Sequence, residues 1–422
     1  MAKMNDYINR IADDALEVSA ELRQVSTAHK NAVLTKLAAL LQEHAAELKA
    51  ENARDIAYAR ETGLEASLVD RLTITDKVIQ SMSRAALEIA ALPDPVGEVV
   101  EGRTLASGVR LSKVRAPLGV VALIYESRPN VTIDVGALCL KSGNAAILRG
   151  GKEAIHSNRA LTKIFHEALE SQNISAKAVQ LIEKTERSLI VDLVKCTKQI
   201  DLVVPRGGEA LIKFVTENSL IPVVKHDKGV CNIYIAPDAM PAMAKDIVIN
   251  AKTQRPGVCN TAECLLVHKD WPHTKELLAA LSAAGVTLHS DAGGIQDFGE
   301  LGVKVEPFVN DLGFAHEYLS LDMGVRMVHD QKEAVRHILE YGSKHSEAII
   351  TQNLAEAQKF IDALDSAAVF VNASTRFHDG GEFGLGAEVG IATGKLHVRG
   401  PMGLKDLTTT RYIAIGHGEI RR

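Results

Sequence analysis

Residues 118–149 read LGVVALIYESRPNVTIDVGALCLKSGNAAILR, and this stretch decides the architecture. Leu118 to Tyr125 is a nearly unbroken apolar run, as expected of a strand buried on both faces. Apolar residues then recur at helical spacing over Ile133 to Lys141, and Ala145 to Arg149 forms a second apolar run. Strand, helix and strand joined by short Gly-bearing links predict parallel strands connected by right-handed crossovers. The alternation continues with helix Glu153 to Glu170, strand Ala178 to Ile182, helix Glu186 to Cys196, strand Asp201 to Val204 and helix Gly208 to Glu217. The first half therefore predicts a doubly wound α/β domain.

A second series starts near Pro237. It runs through helix Ala242 to Thr253, strand Ala262 to Val267, helix Thr274 to Ala284, strand Val286 to His289, helix Lys332 to Glu340, strand Ala348 to Thr351, helix Leu354 to Leu364 and strand Ala368 to Asn372. This predicts a second α/β domain. Upstream, Asp6 to about Arg60 carries the period of two or three amphipathic helices, and Arg103 to Arg115 reads as a short hairpin. Downstream, a Gly-rich segment from Ser374 leads to the β-rich Thr408 to Ile415, which either returns to the hairpin near residue 110 or pairs with another subunit. The expected division is a dinucleotide-binding domain over 1–235 with 105–118 as hairpin of an oligomerisation element, a catalytic domain over 236–374, and a Gly-rich return and oligomerisation tail over 375–422.

Composition agrees with a two-domain globular chain. The chain has 422 residues, beyond the roughly 250–300 at which a single core stops growing. Apolar residues make up 46% and charged residues 24%, which excludes wholesale disorder. Forty-eight basic and 53 acidic residues give a net charge of −5, which argues against a nucleic-acid or acidic-membrane binder. An anionic ligand must then meet a local basic pocket. The charge-free run Leu277 to Ser290 is shorter than the roughly 20 apolar residues that span a bilayer. With no export signal at the start, a cytoplasmic location is the default expectation. Cys139, Cys196, Cys231, Cys259 and Cys264 are odd in number and lack CxxC spacing, so free thiols are expected, with neither a disulfide framework nor a zinc site.

Three loops could carry chemistry. Gln254-Arg255-Pro256-Gly257-Val258-Cys259-Asn260-Thr261 places a thiol on a Pro-Gly turn beside a cation, where amides and Arg255 can stabilise a thiolate. Cys259 reads either as a nucleophile or as a small buried cysteine; the other four sit in or beside apolar elements. Asn130, in Glu126-Ser127-Arg128-Pro129-Asn130 after a strand, can donate to an oxyanion or cap the helix that follows. Arg149-Gly150-Gly151-Lys152 and Arg206-Gly207-Gly208 put bare backbone and cations at strand ends, where dinucleotide phosphates or ribose fit; a basic surface turn is the alternative. His345 and the other histidines show no metal-ligand pairing.

These pieces resemble the aldehyde dehydrogenase superfamily. The shared features are the strand and loop ending in Asn130, Gly143 to Arg149, Gly257-Val258-Cys259, Val371-Asn372 and Phe383-Gly384. Within it the chain is most similar to the gamma-glutamyl phosphate reductases, on the runs Glu126 to Thr132, Gln254 to Asn260, Val371 to Phe377 and Arg399 to Leu404. That resemblance covers essentially the whole chain. It implies two doubly wound α/β domains plus a small β-rich oligomerisation element. It also implies reduction of L-glutamyl 5-phosphate to L-glutamate 5-semialdehyde with NADPH, in proline biosynthesis, by a homo-oligomer. Cys259 would form a thioester, and Asn130 with the Cys259 N–H would hold the oxyanion.

The cofactor-binding positions expected from the resemblance are Arg149, Gly150, Lys152, Gly207, Gly208 and Glu317, the last orienting the nicotinamide ribose. Arg128, Arg255 and Arg376 are the expected substrate-anion ligands. Two departures have physical meaning. Hydrolytic members have a Glu that activates water; the matching stretch here is Lys225-His226-Asp227-Lys228-Gly229, without a carboxylate at that position. Where NAD-preferring members often have an acid, this chain has Lys152, which favours the 2′-phosphate of NADP. A CoA-acylating dehydrogenase, a non-catalytic nucleotide-binding protein and a papain-like hydrolase are the other readings, and a glutamate kinase is a conceivable partner for delivery of an unstable acyl phosphate.

Overall fold

The computed structural model describes residues 5–225 and 228–421. Three helices, Asp6–Leu22, Thr27–Glu43 and Ala45–Glu61, fill the opening segment. Asn5 and Ser26 cap the first two by accepting the backbone N–H groups of Tyr7 and His29. Ile8, Ile11, Ala15, Val18 and Leu22 form the buried stripe of the first helix. Two further helices that the sequence reading left unassigned, Ala66–Leu72 and Asp76–Ala91, complete this layer.

The first sheet has four parallel strands in the spatial order Val179–Leu181, Ala145–Arg149, Val120–Tyr125, Leu202–Arg206. The strand Val120–Tyr125 comes first in sequence and stands inside the sheet; the chain builds outward on one side of it and then returns to the other. Its C-terminal end and that of Leu202–Arg206 therefore lie at a topological switch point, where loops diverge and leave a crevice. Tyr125 stands opposite Arg206 there.

The second sheet has seven parallel strands: Glu306–Pro307, Thr287–Ser290, Asp322–Val328, Ala262–His268, Cys231–Ile235, Ser346–Ile350 and Ala368–Val371. Cys231–Ile235 lies before the expected 235/236 division yet is hydrogen-bonded within this sheet. Asp322–Val328 was not expected from the sequence because Gly324 and Arg326 interrupt its apolar pattern. A Cβ on Gly324 would stand 3.3 Å from the Phe314 ring, so the glycine accommodates that aromatic side chain.

A third, antiparallel sheet joins Val99–Thr104, Arg110–Pro117 and Thr408–Ile415. The tail strand thus returns to the hairpin of its own chain, with Thr408 opposite Pro117 and Ile415 opposite Arg110. Before it gets there, Val389, Ala392, Val398, Met402, Leu404 and Leu407 join the core of the first sheet. Asn144 fixes this return: its side chain accepts the Gly119 N–H and donates to the Leu407 carbonyl, both at 2.8 Å.

Candidate active site

The cysteine loop enters the N-terminal end of strand Ala262–His268, directly after helix Pro241–Thr253. It is held from within and from the tail. Thr261 Oγ1 donates to the Arg255 carbonyl at 2.8 Å; Asn260 Nδ2 donates to the His378 carbonyl at 3.0 Å; Thr375 Oγ1 donates to the Asn260 carbonyl at 2.7 Å. Cys231 Sγ donates to the Cys259 carbonyl at 3.1 Å. Of the five cysteines, Cys259 alone is not buried.

The loop also depends on a neighbour without a side chain. A Cβ on Gly229 would fall 1.8 Å from the Cys259 carbonyl oxygen, so the two backbones touch in a way only glycine permits. His226 and Asp227, in the stretch matched to the water-activating segment of hydrolytic enzymes, lie outside the described residues.

Desolvation pushes the Cys259 thiol up to about 12; Arg206 opposes it, while Glu317 and Glu388 add to the rise. The resting thiol is therefore protonated near neutral pH, and its activation needs a proton acceptor, with nearby cations favouring the thiolate. Arg206 leaves the end of its strand and donates to the Val389 carbonyl, tying the first sheet to the tail at the thiol. Glu388 is held beside it, accepting the Gly380 N–H at 2.9 Å.

Asn130 is the first residue of helix Asn130–Lys141, and the N-cap Pro129 makes no side-chain cap bond. The Asn130 side chain instead donates to the Asp134 carboxylate at 2.8 Å. Two residues earlier, the half-buried Arg128 is pulled down to about 10 by burial and then by its neighbours Arg206, Arg71 and Arg255, with Cys259 acting in the opposite sense. Arg376 donates Nε to Gln254 Oε1 at 2.8 Å and also interacts with Arg255 and Cys259. The three arginines expected from the sequence thus share one electrostatic neighbourhood with the thiol. Among the described residues none of Arg71, Arg128, Arg206, Arg255 and Arg376 forms a direct ion pair with a carboxylate, although Asp134 and Glu388 act on Arg206, and Asp379 on Arg376, at longer range.

At the crevice of the first sheet, Arg149 donates to the carbonyls of Gly150 at 3.1 Å and Thr185 at 2.9 Å, while its buried Nε lacks a partner among the described residues. Lys152 is exposed beside it. These groups fit a dinucleotide: a buried N–H without a partner among the described residues and an exposed cation at a strand end suit ribose and phosphate oxygens. The Gly208 N–H, at the start of helix Glu209–Asn218, is already taken by the Glu126 carboxylate at 2.9 Å, so a phosphate approaching that helix must displace an anion. Ser127 adopts φ 37°, stabilised by the Glu153 carboxylate, which accepts both its N–H at 2.8 Å and its hydroxyl at 2.7 Å.

Glu317 is half-buried and accepts the Gly229 N–H at 2.7 Å. Its loop is anchored by Glu263, which accepts the N–H groups of Tyr318 at 3.2 Å and Leu319 at 3.3 Å. Glu263 is in turn paired at 2.9 Å with Lys252, both side chains fully buried. His345 is buried, its Nδ1 2.7 Å from Ser346 Oγ. Sequence reasoning missed Arg71, Asp134 and Glu388 as members of this site and took Arg206 only as part of a basic turn. Position at the end of a strand was the available signal for Arg206, and a spacing of four from Asn130 at a helix start was the signal for Asp134; Arg71 and Glu388 have none without the tertiary fold.

A family model described as the aldehyde dehydrogenase family matches residues 2–293. A gamma-glutamyl phosphate reductase from Leptospira interrogans serogroup Icterohaemorrhagiae is 52% identical over 416 residues, 99% of each chain. One from Thermobifida fusca is 46% identical over 423 residues, covering all of both chains. The crystal structure of a gamma-glutamyl phosphate reductase from Thermotoga maritima superposes with a TM-score of 0.94 at 41% identity, over 99% of this chain and 100% of that one. An acetylating aldehyde dehydrogenase from Geobacillus thermoglucosidasius, at 19% identity and a TM-score of 0.71 over 99% of this chain and 98% of that one, shares the fold.

Proposed function

Because the chain belongs to the aldehyde dehydrogenase family and, within it, to the gamma-glutamyl phosphate reductases, we propose that this oxidoreductase reduces L-glutamyl 5-phosphate to L-glutamate 5-semialdehyde with NADPH, in proline biosynthesis. The observation that carries the reading beyond the family is the set of arginines around Cys259 without a direct ion pair among the described residues: a substrate with an α-carboxylate at one end and an acyl phosphate at the other needs cations for both anions. The net charge of −5 makes such a local pocket necessary.

The Cys259 thiol gives up its proton to an oxygen of the departing phosphate as its sulfur attacks the acyl carbon. The carbon–oxygen bond to phosphate breaks, phosphate leaves, and a thioester remains on Cys259. Arg128, Arg255 and Arg376 hold the substrate anions, and Asn130 with the Cys259 N–H stabilises the oxyanion; one such donor is typically worth about 10²- to 10³-fold in rate. Arg149, Gly150, Lys152, Gly207, Gly208 and Glu317 would hold NADPH, which would supply the hydride for reduction of the thioester. Cleavage of the carbon–sulfur bond then releases the aldehyde, and the Cys259 thiolate takes a proton from solvent to return to its starting state.

No helix among the described residues is long and apolar enough to cross a membrane. We place the enzyme in the cytoplasm, as a homo-oligomer formed through the antiparallel sheet, whose last strand exposes Tyr412, Ile413 and Ile415. A glutamate kinase would be its natural supplier. The reaction is tested in reverse, with glutamate semialdehyde and NADP, phosphate added or withheld. Phosphate-dependent NADPH formation is expected; formation that needs CoA, or neither acceptor, overturns the reading.

A further inference from the structure

Helix Asn130–Lys141 is buried along almost its whole length, and its two polar, only partly buried positions are Asn130 and Asp134. They stand one turn apart on one face, so together they form the single open polar stripe of the helix. Arg206 acts electrostatically on both the Asp134 carboxylate and the Cys259 thiol, so the stripe and the thiol share one charged neighbourhood.

A carboxamide looks much the same from either end, and an amide that presents its oxygen to a developing oxyanion repels it. Burial raises the Asp134 carboxyl to about 6, with the Asn130 hydrogen bond and Arg206 opposing it, so above that pH it is an ionised group that only accepts, and the 2.8 Å contact then sets which end of the Asn130 amide is nitrogen. Only one of the two Nδ2 hydrogens is used, and the other stays available. We propose, resting on the assignment of Asn130 and Cys259 above, that Asp134 is the positioning residue of the oxyanion hole, locking the Asn130 amide with its second N–H presented to the reacting carbonyl. Arg206 offsets the charge that this carboxylate brings close to an oxyanion.

The test measures reverse-reaction turnover and, separately, alkylation of Cys259 by iodoacetamide. Alkylation develops no oxyanion and so reports the nucleophile alone. Asp134→Ala is expected to lower kcat about tenfold or more, part of the loss that removal of the donor itself would cause, with KM for semialdehyde and for NADP and the alkylation rate nearly unchanged. Asp134→Asn, which keeps an acceptor oxygen, should recover most of the turnover. In an Asn130→Ala background Asp134→Ala should have no further effect, since the two act as one unit. If alanine at 134 prevents folding, Asp134→Val fills the volume without an acceptor and serves in the same cycle. An equal loss in alkylation, or a full additional loss in the Asn130→Ala background, overturns the proposal while leaving the oxyanion assignment standing. Undiminished turnover in Asn130→Ala alone overturns both.

Discussion

Glu317 and Gly229 are joined by a 2.7 Å hydrogen bond from the Gly229 N–H to the Glu317 carboxylate, and Gly229 packs directly on the Cys259 carbonyl. One backbone contact therefore links the carboxylate proposed to orient the cofactor with the proposed nucleophile. Gly229→Ala forces a Cβ into the Cys259 backbone. We expect a loss of about 1–3 kcal/mol in denaturant unfolding, accompanied by near-complete loss of turnover, because the loop that must move carries the thiol.

The buried Lys252–Glu263 pair supports the loop that bears Glu317. Lys252→Ala leaves a carboxylate buried without its cation, and urea unfolding should register about 3–5 kcal/mol of destabilisation. Glu263→Gln retains an acceptor for the Tyr318 and Leu319 amides, so Lys252→Met combined with Glu263→Gln should be more stable than Lys252→Ala alone.

Burial raises the Glu347 carboxyl to about 8, and the hydrogen bonds from Asn232 and Ser366 only partly oppose it. The folded chain then keeps a proton that the unfolded chain releases above its ordinary carboxylate pKa. Between pH 5 and 8 this group costs stability as pH rises, at up to about 1.4 kcal/mol per pH unit. Glu347→Gln has no such proton to lose, so its stability relative to the parent should improve from pH 5 to pH 8. A constant difference across that range would contradict the assignment.

At the crevice of the first sheet, the exposed Lys152 is the cation proposed above to meet the 2′-phosphate of NADPH. Lys152→Glu should reduce the NADPH-to-NADH ratio of kcat/KM by roughly tenfold or more, the effect of about 1.4 kcal/mol in differential binding. An unchanged ratio would remove Lys152 from the cofactor site.

Much of this fold was legible because its strands are apolar runs closed by glycine or polar turns. Ala145–Arg149 and Thr408–Ile415 stand where the sequence places them. Asp322–Val328 escaped because a glycine that makes room for Phe314 and a charged Arg326 break the run. The Cys259 turn was readable from Pro256 and Gly257, since local backbone chemistry marks it. The arrangement of charge around the thiol was not, because Arg71, Asp134, Arg206 and Glu388 come from four separate elements and meet only after folding. The occupation of the Gly208 N–H by Glu126 was hidden for the same reason.

The most direct test of the account is the covalent intermediate itself. Purified protein is incubated with glutamate semialdehyde and NADP without phosphate, quenched in acid, and analysed by intact mass and peptide mapping. The account predicts one glutamyl group attached to Cys259, discharged by added phosphate and absent from Cys259→Ala. A glutamyl adduct on another residue, or NADPH formation without any adduct and undiminished in Cys259→Ala, would contradict it.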